Sequence, residues 1–425
     1  MKHMKLLRFA FIGSGTASVI SICALYQNIK EITQQEKCLI PFEVFCIHDP
    51  DIKTFPVGEA FGPGQKRVME MVLGYDLEKS VDLDETSRKG SKTYWEKNGG
   101  NNFEILYPQE GMHVNAAKLS PWCLEKLSLK QNFKEIHDNI IEIKQSDHEV
   151  TLIGKNNEYS GFDFVFDCTG SPSEKELNTS KYNLPKFEFV NTALLYQDFK
   201  KYDEPYSTNY VHENGWMFGI PLKHRKTYGY CYNKNMTSYD DALNNFQDTL
   251  KNYVNIENIN VDEIKKLSWK QYYKKDAADN RVLTLGNKLY LFDPNMGLAA
   301  HFFMFLIRKF IYNCLSHHLF YNLPFEDMIN SFNTWYRISI KEVEALIALN
   351  YATPNKIDNH YWNEISPKAQ NVLKECITLK KWFADCEIGE MDKFLFHSNR
   401  LMFLYLNGYN VKLKDIYYEK NCNNR

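Results

Sequence analysis

None of the ten cysteines forms a C-x-x-C pair or stands with histidine at zinc-binding spacing. That excludes a sequence-local zinc module and points to reduced, mostly buried thiols. Net charge is also scarce: 51 basic and 53 acidic side chains leave −2, too little for a nucleic-acid-binding face. The longest apolar run, Leu298 to Tyr312, is broken by His301, Arg308 and Lys309 and is short for a bilayer span. Met1 to Lys5 passes directly into the apolar run Leu6 to Phe11, without an apolar signal region. A soluble, cytoplasmic protein is the expectation, with no membrane, nucleic-acid or metal partner. Internal repeats are absent. So is a second G-x-G-x-x-G, which removes the main argument for a dehydrogenase using NAD(P)H.

What the chain does contain is a glycine turn between a strand and a helix. After Leu6 to Phe11 come Gly13, Gly15, Thr16, Ala17 and Ser18, and a helix is predicted from about 16 to 30. Gly13 permits a tight turn, and Gly15 lets backbone amides approach a pyrophosphate at the positive end of that helix. A second strand, Phe42 to Ile47, ends at His48 and Asp49, which makes Asp49 the candidate ribose ligand. Val57, Gly58, Glu59 and Ala60 open a glycine-rich loop before a helical pattern from Gln65 to Leu73. Residues 139 to 153 read as a hairpin, and Phe162 to Phe166 as one buried strand that delivers Asp167 and Gly170 to a ligand edge. Residues 187 to 235 alternate as an antiparallel sheet, and the chain after His301 is helical.

At 425 residues the chain exceeds one ordinary core. The pattern predicts an α/β fold: a Rossmann-like domain over 1–185, rejoined by 280–310, an antiparallel substrate-covering sheet over 186–280, and a helical region over 311–425. An aromatic content of 15% suits enclosure of flat groups and suits an aromatic core equally well.

Taken in order, these segments resemble the flavin-dependent halogenases, the tryptophan-halogenase-like branch of the glutathione-reductase-type FAD fold. The family's G-x-G-T-A-G is similar to Gly13 through Ser18, its G-V-G-E-A-T to Pro56 through Phe61, and its D-C-S/T-G to Asp167 through Gly170. Its W-x-W-x-I-P is similar to Trp216 through Pro221, with Phe218 in place of the second tryptophan. Its halide turn, E-P-L-E-S-T-G or D-P-x-x-S-S-G, is similar to Asp293 through Ala299.

The resemblance implies FAD, supplied reduced by a separate flavin reductase, with O2 and chloride or bromide as co-substrates. It implies an electron-rich aromatic substrate: indole, phenol or pyrrole, free or tethered to a carrier or peptide. Thirty residues after Glu59, the family's catalytic lysine falls on Lys89, and Trp216 and Phe218 complete the catalytic set that the resemblance implies. Asp293 and Pro294 would meet the flavin, and Met296, Gly297 and Leu298 would form the halide turn, with His301 just behind it. Met296 stands where tryptophan halogenases carry a glutamate. Pro294 to Ala299 also resembles the P-x-x-G-x-G turn of flavin hydroxylases. Two alternatives therefore stand beside halogenation: hydroxylation or oxidation without halide, and a non-catalytic flavin-binding relative. Oligomeric state is left open.

Overall fold

The computed structural model describes residues 4–52, 58–79, 83–95, 102–352 and 357–381, together with 409, 411 and 416. A six-stranded, mainly parallel sheet runs in the order Ala278–Asp279, Val282–Thr284, Phe164–Asp167, β1 (Leu7–Ile12), β2 (Phe42–His48) and, at the far edge, a strand over Phe133–His137. Its central strands are apolar nearly throughout because both faces are covered. Helix α1 (Thr16–Gln35) crosses one face and buries Val19, Ile20, Ile22 and Leu25.

An eight-stranded sheet faces this unit. It combines Lys265–Ser268, Thr192–Asp198, Arg225–Tyr232, Gly215–Leu222 and Tyr206–His212 with β3 (Gly58–Phe61), β4 (Thr86–Tyr94) and β5 (Asn102–Asn115). Alternation in the sequence locates this sheet in 186–280 alone. Three strands from 58–115 join it, because β4 pairs in parallel with Tyr206–His212, with Ser91 opposite Ser207 and Thr93 opposite Asn209.

Local corrections have clear causes. The run Phe162 to Phe166 is two strands, Glu158–Phe162 and Phe164–Asp167. Between them Asp163 accepts the Arg8 N–H through Oδ2 at 2.8 Å and donates its own N–H to the Arg8 carbonyl at 2.8 Å, which pins the break to β1. Ala299–Phe310 continues through a π turn at Ile311–Leu315 into Ser316–Tyr321. The resulting run, Asn295–Tyr321, is long and apolar enough to cross a bilayer by length and composition, unlike the shorter segment seen in the sequence. Half of its most apolar window is buried inside the molecule. Phe302, Phe303, Leu306, Ile307 and Phe310 supply that buried side, each stabilising the packed state by about 1.5–3 kcal/mol. Two further helices follow, Phe325–Tyr351 and His360–Glu375, so the C-terminal region is helical over its described part.

Candidate functional site

The turn after β1 is set by Gly13. Its φ is +96°, its N–H donates to the Ile47 carbonyl at 2.8 Å, and a Cβ there would lie 2.7 Å from the Cys168 carbonyl oxygen. Gly15 caps α1 with extended geometry, and a Cβ on it would meet nothing within 4 Å. The same is true of Gly170, at φ +90° on the adjoining strand end. The N-terminus of α1 therefore opens onto a glycine-walled cradle. That space, with free amides at a helix's positive end, fits the pyrophosphate of a flavin nucleotide. Ala17 lies against Gly286, whose Cβ would come within 2.9 Å of it.

Two carboxylates at this edge are already engaged. Asp167 accepts from Thr169, from its N–H at 3.1 Å and its Oγ1 at 2.7 Å, and so caps its own turn. Asp49 accepts the Asp51 N–H at 3.0 Å and the Asn139 amide at 3.0 Å, bonds that hold its carboxyl below the usual range. A ribose at Asp49 would share those oxygens.

Beyond the cradle lies a cavity of about 580 Å³. Gly58, Glu59 and Ala60 of β3 line one side, Trp216 and Phe218 another, and the segment Asp293 to Leu298 a third. A Cβ on Gly58 would press to 2.9 Å from Ile220 Cγ2, so that position is restricted to the smallest residue. Thr16 Oγ1 donates to Glu59 Oε1 at 2.7 Å and joins the cradle to the cavity. Burial raises the Glu59 carboxyl to about 6, partly countered by that bond. Val57 lies outside the described residues.

The turn Asp293 to Leu298 has unusual backbone geometry. Met296 (φ +66°) and Gly297 (φ +60°) are left-handed between right-handed Pro294 and Leu298. A change of hand between neighbouring residues turns N–H groups toward one side without help from side chains, and here the Gly297 N–H donates back to the Pro294 carbonyl at 3.3 Å. Helix Ala299–Phe310 starts directly behind it. Asp293 itself is buried, accepts the Asn295 N–H at 2.9 Å and receives the Tyr351 hydroxyl. Burial lifts its carboxyl from an ordinary 3.8 to about 7, against the lowering effect of Tyr351, Asn295 and the Trp216 indole.

That shift has a defined sign. A carboxyl raised in this way keeps its proton in the folded state after the unfolded chain has released it, so the contribution of Asp293 to stability is fully present below about pH 4 and is lost as pH rises through about 7. Asp293→Asn is expected to remove this decline. Urea denaturation should show the variant gaining on the parent between pH 5 and 7, by on the order of a few kcal/mol, then levelling.

Lys89 does not reach the cavity. Its side chain is 53% exposed and lies 3.7 Å from Glu110. A β-bulge between Arg88 and Gly90 resets the alternation of β4, so that Arg88, Ser91 and Thr93 face the cavity and Lys89 faces out. Gap-free counting from Glu59 cannot detect such a bulge; the three-residue spacing of Lys89 and Lys92, which breaks the period of two, is its trace in the sequence. His301 also lies outside the lining and stacks near Phe305 at 6.4 Å between ring centres. The other turn candidates, Met296, Gly297 and Leu298, do line it.

Arg88 opens a buried relay. Its Nε–H donates to Ser207 Oγ at 2.9 Å, and its guanidinium lies 5.0 Å from the Tyr107 ring centre. Ser207 Oγ is 2.9 Å from His113 Nε2, His113 Nδ1 is 3.0 Å from Thr86 Oγ1, and Thr86 donates to the Pro221 carbonyl at 2.9 Å. Because Thr86 spends its hydrogen on Pro221, it accepts from His113 Nδ1–H, which leaves Nε2 to accept from Ser207. Burial, then the charges of Arg88 and Lys226, push the His113 imidazole well below its ordinary value. Arg88 is thus a fixed cation in the cavity wall, held by neutral groups.

Comparison with known proteins gives a consistent picture. The model of the tryptophan halogenase family matches residues 109–410. Among solved structures, a tryptophan halogenase from Shewanella frigidimarina is 18% identical with a TM-score of 0.74, the match covering 95% of this chain and 89% of that one. A flavin-dependent halogenase from a Brevundimonas species is 14% identical with a TM-score of 0.73, covering 97% and 90%. A lanthipeptide tryptophan 5-halogenase is 15% identical with a TM-score of 0.70, covering 95% and 86%.

Proposed function

The chain belongs to the tryptophan halogenase family, and from that premise we propose that it uses reduced FAD and O2 to halogenate an electron-rich aromatic ring in the cavity described above. The observation that carries this reading is the convergence of three sequence-distant segments, Gly58 to Ala60, Trp216 with Phe218, and Asp293 to Leu298, on one cavity. Gly13, Gly15, Gly170 and the amides opening α1 would hold the nucleotide. When bound, the reduced flavin supplies the electrons that activate oxygen and so allow halide to be oxidised.

The protein's own contribution is placement and exclusion. Trp216 and Phe218 offer apolar walls for a flat ring and keep water from an electrophilic halogen. The left-handed pair Met296 and Gly297 shapes a turn in which Asn295 and Gly297 spend their N–H groups on Asp293 and Pro294, so chloride or bromide would be met by the Met296 and Leu298 amides, a role that does not depend on the serine or threonine this turn lacks. Arg88 supplies the cavity's positive charge in place of Lys89. Met296 removes the family's glutamate, and Asp293 is the carboxyl that remains on the same turn. A flavin reductase would deliver the reduced cofactor. Indole, phenol and pyrrole all suit the walls; a carrier- or peptide-held ring is supported by the shared fold of the lanthipeptide enzyme.

The direct test supplies the protein with FAD, a flavin reductase, NADH, oxygen, bromide and a panel of indoles, phenols and pyrroles, free and peptide-linked. Mass spectrometry is expected to show the bromine isotope pair in a product. The altered turn favours one second reading, oxygenation on the same scaffold, which a gain of one oxygen irrespective of bromide would establish instead. Peroxide production without any aromatic product would leave only a flavin-binding relative.

A further inference from the structure

Outside the cavity, the carboxyl edge of the parallel sheet carries a cluster that the proposed reaction does not use. His48 ends β2 and His137 ends the neighbouring strand Phe133–His137, and the two are direct partners in the parallel register. Partners in register project to the same side of a sheet, and Glu135, two residues before His137, projects there as well. Glu135 Oε1 lies 2.8 Å from His48 Nε2 and 3.2 Å from His137 Nε2, and the imidazole rings are 5.1 Å apart, inclined at 72°. All three donor atoms fall within 4.8 Å of one another. We propose that His48, Glu135 and His137 form a binding site for a divalent transition-metal ion.

The donor set selects the class of ion. Two imidazoles and one carboxylate suit Zn²⁺, Co²⁺ or Ni²⁺, whereas Mg²⁺ and Ca²⁺ require mainly oxygen. Bonds of about 2.0–2.2 Å at tetrahedral angles separate ligand atoms by roughly 3.3–3.5 Å, so the Glu135 oxygen, 2.8 Å from His48 Nε2, needs to retreat by about half an ångström or slightly more. The cluster is anchored on one side and open on the other: the side chains are 9% exposed at His48, 28% at Glu135 and 60% at His137. The inner histidine is held by backbone bonding, since its carbonyl accepts the Asp138 N–H at 3.0 Å. The open side leaves a fourth position for water. The site is also one residue beyond Ile47, whose carbonyl holds Gly13, so a bound ion would clamp two strands at the rim of the nucleotide cradle. Sequence spacing hides this site because its members lie on strands 87 residues apart.

The test needs no catalytic activity and is therefore independent of the proposed reaction. Tag-free protein, stripped with chelator, is titrated with Co²⁺ and Zn²⁺, with calorimetry for stoichiometry and the visible Co²⁺ spectrum for geometry. One equivalent is expected to bind, with a four- or five-coordinate Co²⁺ spectrum, and Zn²⁺ should raise the melting temperature. His137→Ala and Glu135→Gln, both at partly exposed positions, should each weaken binding by at least about tenfold, the lower end of what even outer-shell changes cost. Their combination should abolish the Zn²⁺-dependent melting shift. Unchanged affinity in the double variant would place any bound ion elsewhere, and no binding by the parent would reduce the cluster to hydrogen bonds; either overturns the proposal.

Discussion

Gly15→Val is expected to fold like the parent and to bind FAD about 10–100-fold more weakly, measured by fluorescence quenching on titration with the flavin. The prediction depends on two facts about one glycine. Its φ of −66° is open to any residue, and a Cβ there meets no protein atom within 4 Å, so the fold has no objection to the side chain beyond a cap preference of about 1 kcal/mol. The branched side chain instead fills space that a pyrophosphate would occupy, and overpacking of that kind costs about 1–3 kcal/mol, which converts to the stated loss. Gly13 behaves differently. Alanine there is strained at φ +96° and drives a methyl into the Cys168 carbonyl, so Gly13→Ala should lower the melting temperature first and flavin binding as a consequence. Full flavin occupancy in Gly15→Val would show that the cradle has been misassigned.

Arg88→Met should lower product formation by at least about 100-fold with flavin binding retained, whereas Lys89→Ala should stay within about twofold of the parent. Removal of a fixed charge-stabilising group from a dry site typically costs about 10²–10³ in turnover. Arg88 is buried in the cavity wall, while Lys89 is largely in solvent beside Glu110. Arg88→Lys separates charge from shape: a lysine can keep the positive charge but cannot reproduce the fork that holds Ser207 and the Ala60 carbonyl. It should recover part of the lost rate. Melting temperatures and flavin affinities measured alongside distinguish a collapsed relay from a lost catalytic cation. If Lys89→Ala abolished product and Arg88→Met did not, the outward register of β4 at position 89 would be wrong.

These two variants also mark what the sequence makes legible. Gly13 and Gly15 are readable because a strand, a glycine turn and a helix are contiguous in the chain and each glycine has a local reason to be there. The turn Asp293 to Leu298 is readable for the same reason, although only the folded chain shows that Met296 adopts a left-handed backbone. Lys89 shows the limit. Its place depended on one bulge between Arg88 and Gly90, a defect that costs one residue of register and reverses which side chain faces inward. The buried relay was beyond reach because Thr86, His113, Ser207 and Pro221 come from strands that meet only in the folded sheet. The same holds for Asp293 and Tyr351, 58 residues apart and joined by one hydrogen bond.

The pairing of β4 with Tyr206–His212 has a consequence for synthesis. Thr93 and Asn209 are opposite one another yet 116 residues apart, so the wall of the cavity cannot close while the chain is still short. At about 5–20 residues per second, the hairpin of β4 and β5 waits on the order of ten seconds for its partner strand to leave the ribosome. During that interval β4 presents an unpaired edge, the kind of surface that captures other chains. Lys89 and Lys92, whose charges have no place inside the cavity, stand along that edge. Charges along an unpaired edge oppose such capture, so replacing both with threonine is expected to reduce soluble yield more than it reduces the stability of the finished protein.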